Sequence, residues 1–378
     1  MDKQKLKFYP VGNGDTALAS LSGNQYLMVD CKIDNDAAEN KDKFDVKKDL
    51  LAILPKDGRG RHHLDAFILT HPDQDHCVGF KDTFFCDDPD RYDAKAVERK
   101  AVIIDELWFS DTIFNRFDCP LSEAAKNFKK EAQRRKNLYI SNPSQAQKVG
   151  NRLVLIDFLE NVDDPDLHAV TVEPGSSTSR INGILKTDFS IFVHGPFKTP
   201  TPDSQDRNET SVIMQLRFSV GADQMASLAF LAGDADYNRF KRLLDERDDE
   251  SIEWDLLLAP HHCSWTFFNM TPKVEYPTPQ ESSIEFLGRQ RGSGLVVASS
   301  KKIVDDDDNP PHYAAKMEYC KKVDPVNFLN TGEKPLEPLE FMATASGFKK
   351  SERPAPSIAV VGLGPVTDRP KTYGEVFR

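Results

Sequence analysis

The sequence has few of the features that mark membrane, secreted or disulfide-stapled proteins. No run of about 18 apolar residues could span a bilayer, and the N-terminus contains no apolar core of signal-peptide length. The six cysteines are scattered, with no CxxC pair. A disulfide framework or a thiolate zinc site is therefore not expected. We predict a cytoplasmic protein with reduced thiols.

Basic residues are also fewer than acidic ones. Lys and Arg total 49 against 60 Asp and Glu, which gives a formal net charge of −11. Non-specific binding to nucleic acid comes from Lys and Arg that neutralise phosphates. The balance therefore excludes a protein that coats nucleic acid, although a local basic surface remains allowed. At 378 residues, one large domain or two ordinary ones can bury a sizeable core.

Short apolar or alternating runs bounded by turn residues recur along the chain, and they predict strands of about five or six residues. Helical stretches such as Ser122–Ile140 alternate with them, so we predict a layered α/β architecture. Residues 81–150 interrupt the strand rhythm with polar and helical sequence and are predicted to be a helical, basic insertion. We expect one domain over residues 1–350, followed by a C-terminal extension over 351–378 that contains the strand-like run SIAVVGLG.

One stretch concentrates side chains that bind metals. The apolar run Leu64–Thr70 leads directly into His71, Asp73, Asp75 and His76. Residues two apart in an extended loop point the same way, so His71 and Asp73 can bind one ion while the other two face a second. Imidazole and carboxylate ligands suit zinc, manganese or iron and leave positions open for water. The alternative is a polar loop with a chance cluster of caps.

Three later apolar runs also end in His or Asp: Phe189–His194, Ser227–Asp234 and Asp255–His262. In sheet-based enzymes the ligand site lies beyond the carboxyl ends of strands, so these ends can converge on one pocket. Considered alone, His194 could equally be an ordinary buried histidine, and Asp234 could be a turn residue.

These motifs resemble a known family. The HxDxDHxxG motif at His71–Gly79, the Gly233–Asp234 pair and Pro-His-His-x-Ser at Pro260–Ser264 together resemble the metallo-β-lactamase fold. Within it they are most similar to the hydrolase domain of the ComEC competence proteins of DNA uptake. Supporting motifs are found at Val11–Thr16 and Asn208–Ser211. The resemblance covers most of the chain and implies an αββα sandwich.

The resemblance also implies two divalent metal ions, Zn²⁺ or Mn²⁺. The implied ligands are His71, Asp73 and His194 for one ion, Asp75, His76 and His261 for the other, and Asp234 as a bridge. Sequence does not decide between His261 and His262; His261 is favoured because it is nearer the strand end. Asp15 and Asp30 either orient ligand imidazoles or serve as turn and cap residues.

Two departures from the family pattern concern the walls of the pocket. Cys263 stands where the family usually has Gly, and Val78 replaces the first of two glycines. Because of these changes, the substrate of the family cannot be assumed for this chain. Cys77 and Cys263 would lie beside the metals, either as thiolate ligands or, as we favour, as packing residues.

The chemistry expected of such a site is hydrolysis by a hydroxide that two metals activate. We favour hydrolysis of a phosphodiester in DNA or nucleotides. Asp75 would orient the hydroxide, and His262 or His312 would stabilise the phosphorane or protonate the leaving oxygen; His312 could instead be a surface residue at a helix start. The alternatives are a hydrolase of a carboxylic ester, lactone or thioester, and a non-catalytic metal-binding subunit of a larger assembly.

A basic run in the predicted insertion could hold nucleic acid beside this site. Its members are Lys126, Lys129, Lys130, Arg134, Arg135 and Lys136. The candidates for substrate contact are Lys129, Lys130, Arg134, Arg135, Asn208 and Ser264. The other interpretation of the run is a solvated helix face. The acidic run Asp305–Asp308 near His312 could narrow the substrate range or recruit further metal ions, or simply form a solvated loop.

The expected partner is a nucleic acid or nucleotide substrate. Competence-type hydrolase domains accompany a membrane channel, which this chain lacks, so a role in DNA uptake would require a separate partner. A stand-alone version could act in nucleic-acid turnover or defence, with a protein partner encoded in the same operon. The sequence gives no indication of oligomeric state.

Overall fold

The computed structural model describes residues 3–115, 120–198, 211–275 and 277–351. Asn208, the Pro-rich segment 199–202 and the run SIAVVGLG of the expected C-terminal extension lie outside the described residues. None of the described helices has the length and apolarity needed to cross a bilayer.

The regular elements are numbered in chain order. The described strands are β1 Lys5–Phe8, β2 Ala17–Leu21, β3 Gln25–Val29, β4 His63–Ile68, β5 Ile103–Phe109, β6 Arg152–Ile156, β7 Thr171–Val172, β8 Ser177–Thr178, β9 Arg180–Ile181, β10 Ile184–Leu185, β11 Phe189–Val193, β12 Met214–Val220, β13 Asp223–Leu231, β14 Trp254–Leu258, β15 Gln290–Ala298, β16 Phe328–Asn330, β17 Leu339–Thr344 and β18 Gly347–Lys350. The described helices are α1 Val46–Ile53, α2 Gln74–Cys77, α3 Phe80–Thr83, α4 Ala94–Glu98, α5 Thr112–Asn115, α6 Glu123–Ser141, α7 Pro143–Ala146, α8 Tyr237–Glu246, α9 Pro260–Cys263, α10 Glu281–Leu287 and α11 Tyr313–Tyr319.

Two large sheets organise the chain. The first has the strand order β18-β17-β1-β2-β3-β4-β5-β6-β7, and the second has the order β16-β15-β14-β13-β12-β11-β8. Each sheet contains a parallel block, β3 to β7 in the first and β13 to β16 in the second. The carboxyl ends of the strands in each block therefore lie at one edge of its sheet.

The sheets pack face to face because side chains alternate along each strand. Val29 and Ile68 of the first sheet join Leu231 and Leu258 of the second in one buried cluster between the sheets. The intervening Phe67 points the other way, into a cluster under the helices of the first sheet. Both faces of these strands are thus buried, which explains their nearly continuous apolar runs.

Helices cover the outer face of each sheet. On the first sheet, Phe67 lies 5.4 Å from Phe80 of α3 and 6.0 Å from Phe128 of α6, measured between ring centroids. On the second sheet, Phe230 packs on Phe286 of α10 at 4.9 Å, and α8 and α11 contribute to the same cluster. The layers therefore run helix, sheet, sheet, helix, and the αββα sandwich expected from the sequence is confirmed.

The interpretation of residues 81–150 as an insertion requires correction. This region supplies β5, which pairs between β4 and β6 in the interior of the first sheet, and α6, which covers that sheet. The polar surfaces of its helices obscure the strand rhythm in the sequence. At the far end of the described chain, β17 pairs with β1, so residues up to Lys350 belong to the sandwich.

Candidate metal centre

A cluster of His and Asp side chains lies beyond the carboxyl ends of strands from both sheets. Asp30 follows β3 and His71 follows β4, whereas Asp234 follows β13 and His261 follows β14. Because the two parallel blocks end at the same edge of the sandwich, residues more than 150 positions apart in the chain, such as His71 and Asp234, come into contact there. This is the edge where α/β sheets characteristically bind ligands.

Asp234 lies at the middle of the cluster, and its two carboxylate oxygens face different pairs of imidazoles. Oδ2 is 3.5 Å from Nε2 of His71 and 3.5 Å from Nε2 of His261. Oδ1 is 3.1 Å from Nε2 of His76 and 3.6 Å from Nε2 of His262. The carboxylate therefore divides the four histidines into two pairs.

Further carboxylates extend each pair. Asp73 Oδ2 lies 3.9 Å from Nε2 of His71, and Asp75 Oδ2 lies 3.2 Å from Nε2 of His262. Asp15 Oδ1 lies 3.4 Å from Nδ1 of His262. One group of donors, formed by Asp15, His76, Asp234 and His262, has all its ligand atoms within 4.8 Å of one another. Two adjacent donor groups thus share Asp234.

The donor atoms fit divalent cations. Nε2 of His71, His76 and His262 and Oδ1 of Asp234 are buried without a hydrogen-bond partner among the described residues, a costly state that a bound cation would relieve. Two ligands at about 2.1 Å from a tetrahedral zinc ion are about 3.4 Å apart. The separations around Asp234, 3.1 to 3.6 Å, bracket that value. A buried His and Asp cluster of this kind is typical of metal-dependent hydrolases.

Hydrogen bonds behind the cluster fix the orientation of His71 and His76. Thr70 donates its hydroxyl hydrogen to Asp30 Oδ2 at 2.6 Å, so Nδ1 of His71, 3.0 Å from the same hydroxyl, must be the donor of that contact. Nδ1 of His76 donates to Asp30 Oδ2 at 2.8 Å. In its neutral form, with the hydrogen on Nδ1, each imidazole would present the lone pair of Nε2 to the centre.

A similar chain of hydrogen bonds orients His261. Ser264 donates to Asn309 Oδ1 at 2.8 Å, and Thr266 donates to the Ser264 hydroxyl at 2.9 Å. The Thr266 hydroxyl therefore accepts from Nδ1 of His261 at 3.2 Å. Ser264 is fully buried, which corrects its assignment as a substrate-binding residue: its hydroxyl is committed to positioning the loop that carries His261.

The short element α9, which presents His261 and His262, is a turn with an unusual backbone. These two residues and Cys263 have φ of 49°, 53° and 69°, a left-handed conformation that residues with a side chain seldom adopt, least of all in succession. The turn directs two consecutive imidazoles toward opposite oxygens of Asp234. Both members of the pair therefore face the centre, and His262, rather than the favoured His261, lies beside Asp75 and His76.

His194 is not brought into the cluster by any contact among the described residues. Val193 points between the sheets, so alternation turns the next side chain toward the outer helical layer. There the imidazole packs 4.7 Å from the ring of Phe192 and 5.1 Å from that of Phe230. Burial lowers its pKa well below the usual value. The assignment of His194 as a metal ligand therefore rests on the family resemblance alone and stays a prediction.

His312 lies behind the turn that bears His261 and His262. Its backbone N–H donates to the carbonyl of Cys263 at 3.0 Å, and its ring is 6.0 Å from that of Trp265. Nδ1 accepts a hydrogen bond from the N–H of Ala314 at the start of α11. Burial lowers its pKa, so the neutral ring carries its hydrogen on Nε2.

The two cysteines beside the cluster are packing residues. The thiol of Cys77 donates to the carbonyl of Asp73 at 3.1 Å, and burial raises its pKa to about 12. Cys263 belongs to the apolar cluster beneath the helices of the second sheet, and burial raises its pKa further. Both groups are thus held as neutral thiols, which are poor metal ligands.

The electrostatics of the cluster favour bound positive charge. Burial alone would raise the pKa of Asp234 and lower that of His76, but the facing charges shift both groups the other way. In the same manner, Asp234 and Asp15 outweigh burial and raise the pKa of His262 to about 10. Without a cation, the carboxylates hold protons on these imidazoles. Metal binding would release those protons, since a ligand imidazole must be neutral.

The cluster opens to solvent on one side. The exposed fraction of the side chain is 37% for Asp75, 30% for Asp73 and 24% for His261. The imidazoles of His71, His76 and His262 are fully buried. A substrate would therefore approach over Asp73, Asp75 and His261.

The basic helix α6 does not present the surface expected of it. Arg135 is buried, bonded to Glu131 and to the carbonyls of Ile104 and Arg152. Arg134 is paired with Glu131 and Asn151. Both were predicted to contact substrate; Arg135 is too deeply buried to do so, and the guanidinium of Arg134 is held by protein partners although its side chain is partly exposed. The side of α6 that packs on the sheet is buried whatever its charge. Its arginines can be buried there because carboxylate and carbonyl groups accept hydrogen bonds from them.

Of the remaining candidates on α6, Lys129 donates to the carbonyl of Phe114. Lys130 is exposed and remains available for ligand contact. Lys126 and Lys136 pair with Glu123 and Asp111. The acidic run Asp305–Asp308 is exposed throughout, as expected for a solvated loop.

Residues that position the ligands were not all identified from sequence. No sequence pattern marked Thr70 or Thr266 as a positioning residue, because a hydroxyl residue close to a histidine in sequence is common. Asn309 lies 45 positions from Ser264, too far for any local pattern to connect them. Asp15, considered only as an orienting or cap residue, lies within the donor group itself.

Comparisons with known proteins find similarity to solved structures. No family model matches the chain, and no curated protein matches it. Among solved structures, it is similar to a diphosphatase of the PhnP family, with 11% identity and a TM-score of 0.34 over 90% of this chain and 98% of that one. A protein of Thermotoga maritima described as a metallo-β-lactamase has the same identity and TM-score over 68% and 95%. Rubredoxin oxygen:oxidoreductase of Desulfovibrio gigas has 14% identity and a TM-score of 0.24 over 59% and 34%. The function of this chain is therefore argued from its own residues.

Proposed function

We propose that the protein is a metal-dependent hydrolase that cleaves phosphodiesters in DNA or nucleotides. The observation that carries the proposal is the division of four imidazoles between the two oxygens of Asp234. This arrangement would hold two divalent ions, Zn²⁺ or Mn²⁺. One set of ligands would be His71, Asp73 and His261, the other would be Asp75, His76 and His262, and Asp234 would belong to both. His194, expected in the first set from the family resemblance, is replaced in this assignment by His261.

Bound divalent ions would supply Lewis acidity, which acidifies a bound water and neutralises negative charge on a substrate oxygen. The chain's own residues would do the rest. Asp75 is the most exposed carboxylate of the cluster, so its free oxygen is suited to orient the attacking water and accept its proton. His312, a neutral ring with hydrogen on Nε2, is the candidate to donate a hydrogen bond to the leaving oxygen, which would take its proton from the carboxyl of Asp75. In this assignment His262 serves as a ligand rather than as an acid.

The preference for a phosphodiester is supported by the resemblance of the His71–Gly79 motif to the competence-type hydrolases. It is also supported by charge, because a phosphodiester is an anion and the proposed ions give the opening a positive potential. The acidic composition of the chain includes three of the proposed ligands, Asp73, Asp75 and Asp234. The net charge of −11 therefore does not oppose this substrate at the site itself.

Incubation of the metal-loaded protein with three substrates tests the reaction class. We expect hydrolysis of bis(4-nitrophenyl) phosphate and of single-stranded DNA, and little hydrolysis of 4-nitrophenyl acetate. Cleavage of the acetate alone would instead indicate a carboxylic ester hydrolase. Metal binding with no turnover of any substrate would indicate a non-catalytic subunit.

Variants of the second ligand set test the site. His76→Ala and Asp75→Ala should abolish hydrolysis and lower the metal content measured by elemental analysis, whereas the exposed Asp90→Ala should change neither. Circular dichroism should show the same fold in all three. Full activity in either ligand variant would overturn the assigned site.

A further inference from the structure

A cavity of about 270 Å³ lies beside the metal cluster, across the loop Gly12–Gly14. Its charged lining consists of Lys32, Lys43, Lys301, Lys302, Asp34 and Asp42. Positive groups are therefore in excess there, in a chain whose net charge is −11. A concave, lysine-lined surface of this kind favours an anionic ligand.

The cavity adjoins the proposed catalytic centre through Gly14. This glycine has φ of +145°, and a side chain at its position would collide with Lys32 on one side and with the backbone and Cβ of Asp75 on the other. The next residue, Asp15, donates its N–H to the carbonyl of Asp75 at 3.2 Å. Only the main chain at Gly14 thus separates Lys32 of the cavity from Asp75 of the His and Asp cluster.

Lys32 differs from the other lysines of the cavity. Lys43, Lys301 and Lys302 form ion pairs with Asp34, Asp308 and Glu333, all at least partly exposed. The ammonium of Lys32 donates to the carbonyl of Asn13, and it forms no ion pair with any carboxylate that the structure describes. Its charge is therefore not neutralised by the protein.

The backbone N–H of Gly12 is a second candidate donor. Gly12 lines the cavity with φ of +73°, and the point where its Cβ would lie is 3.7 Å from the ammonium of Lys32. Within the described part of the chain, no group accepts a hydrogen bond from the N–H of Gly12. An amide donor in a glycine-containing loop next to a lysine is a common phosphate-binding arrangement.

We propose that this cavity binds a second phosphate of the substrate, the one next to the phosphate that is hydrolysed. The inference rests on the proposed phosphodiesterase function and narrows its substrate to molecules with at least two phosphates in succession. Lys32 and the amide of Gly12 provide the central contacts, and Lys301 and Lys302, each paired with a carboxylate, lie at the rim. Such a phosphate belongs either to an oligonucleotide or to a nucleoside diphosphate.

Binding to the metal-free protein tests the cavity independently of catalysis. With a chelator present, isothermal titration should detect binding of pyrophosphate and of a short oligothymidylate to the wild type. Lys32→Met keeps the side-chain stem beside Gly14 and removes the charge, and it should weaken binding by about tenfold, as expected for the loss of one charge-assisted hydrogen bond. Lys148→Met, an exposed lysine at the opposite end of the sheet, should bind as the wild type does.

Kinetics with one-phosphate and multi-phosphate substrates complete the test. Lys32→Met should raise the KM for oligothymidylate by about tenfold with little change in kcat, and it should leave hydrolysis of bis(4-nitrophenyl) phosphate unchanged. A KM effect confined to the oligonucleotide would identify a nucleic-acid chain as the ligand. An effect on a nucleoside diphosphate alone would identify a nucleotide.

Two results would overturn the proposal: no binding of either probe to the metal-free wild type, or equal loss on all substrates in Lys32→Met. Lys302→Met, which alters an exposed side chain and should fold normally, should show a smaller effect in the same direction. If the loaded protein cleaves no phosphodiester at all, the proposed function fails. The binding measurement would still show whether the cavity takes phosphate.

Discussion

A single carboxylate behind the His and Asp cluster holds more than one imidazole in place. Asp30 accepts hydrogen bonds from the N–H and the hydroxyl of Thr70 and from Nδ1 of His76. Through Thr70 it also orients His71. One buried residue therefore sets the direction of an imidazole in each of the two proposed ligand sets.

Asp30→Asn should lower metal affinity without removing a ligand. If the amide nitrogen of the introduced side chain faced Nδ1 of His76, two hydrogen-bond donors would face each other, and the imidazole would reorient. Losses of about 10–100-fold in affinity are typical when such a partner is changed. Competition with a metal-binding dye would measure the loss. The exposed Asp36→Asn should bind metal normally, and wild-type affinity in Asp30→Asn would contradict the role assigned to this carboxylate.

Far from the cluster, the protonation of His63 makes the stability of the fold depend on pH. Burial alone would lower the pKa of His63, but the carboxylates of Asp105 at 2.6 Å and Asp57 at 3.4 Å raise it above 6.5. A folded-state pKa above the unfolded value means that the stabilisation is fully present below about pH 6.5. It is lost as the pH rises through the folded-state pKa.

His63→Gln should therefore remove part of the pH dependence of stability. Gln still donates a hydrogen bond to Asp105 but does not titrate. Urea unfolding between pH 6 and 8 should show the wild type losing stability relative to the variant as the pH increases. Burial raises the pKa of Asp105 itself, and both proteins share that contribution. Parallel stability curves would show that His63 has no such role.

Among the elements, α6 shows how a charged helix can be structural. Its apolar face carries Phe128 and Ala132 into the core over the first sheet. The guanidinium of Arg135 reaches the carbonyl of Ile104 at 2.8 Å, next to the sheet backbone, and pairs with Glu131 at 2.7 Å. The helix is thus fixed to the sheet by a buried ion pair as well as by apolar contact.

Arg135→Met should destabilise the fold and should have no specific effect on nucleic-acid binding. Removing one partner of a buried, hydrogen-bonded ion pair costs about 3 kcal/mol, which chemical denaturation would detect. Lys130→Met, on the exposed face of the same helix, should leave stability unchanged. If Lys130→Met weakens DNA cleavage in a salt-dependent manner, the exposed face of α6 still contacts substrate; unchanged cleavage would exclude that contact.

At the scale of the whole molecule, the His and Asp cluster joins the two halves of the sandwich. His71 and His76 come from the first sheet, and Asp234, His261 and His262 come from the second. Bound ions would therefore cross-link the two sheets at one edge. Without ions, the buried carboxylates and imidazoles depend on protonation for their balance of charge.

Metal removal should consequently lower thermal stability. An ion at about 100 times its dissociation constant contributes about 2.7 kcal/mol, which in a chain of this size corresponds to several degrees in Tm. Differential scanning calorimetry with and without a chelator would measure the shift. Asp234→Asn should show no shift, because it removes the carboxylate shared by both ligand sets. An equal shift in that variant would indicate that the stabilising metal binds elsewhere.

Many of the strands and strand ends were predicted from short patterns of apolar and polar residues. The strand ends at His71, Asp234 and His261 were identified because apolar runs stop abruptly at polar residues with ligand chemistry. His194 shows the limit of that argument: its strand also ends at the correct edge, but alternation along the strand turns its side chain to the outer face. Arg134 and Arg135 show another limit, since charge in a helical run does not reveal which face will be buried.

The sequence by itself determined the layered fold and named the principal candidate residues of the site, because strand periodicity and ligand motifs are short-range features of the chain. Only the tertiary structure decided how those residues are grouped. The division of the histidines about Asp234, the left-handed turn at His261–Cys263 and the cavity beside Gly14 all depend on contacts between segments far apart in the chain. Such contacts are set by how the two sheets pack, and packing is a property of the whole molecule that no local pattern encodes.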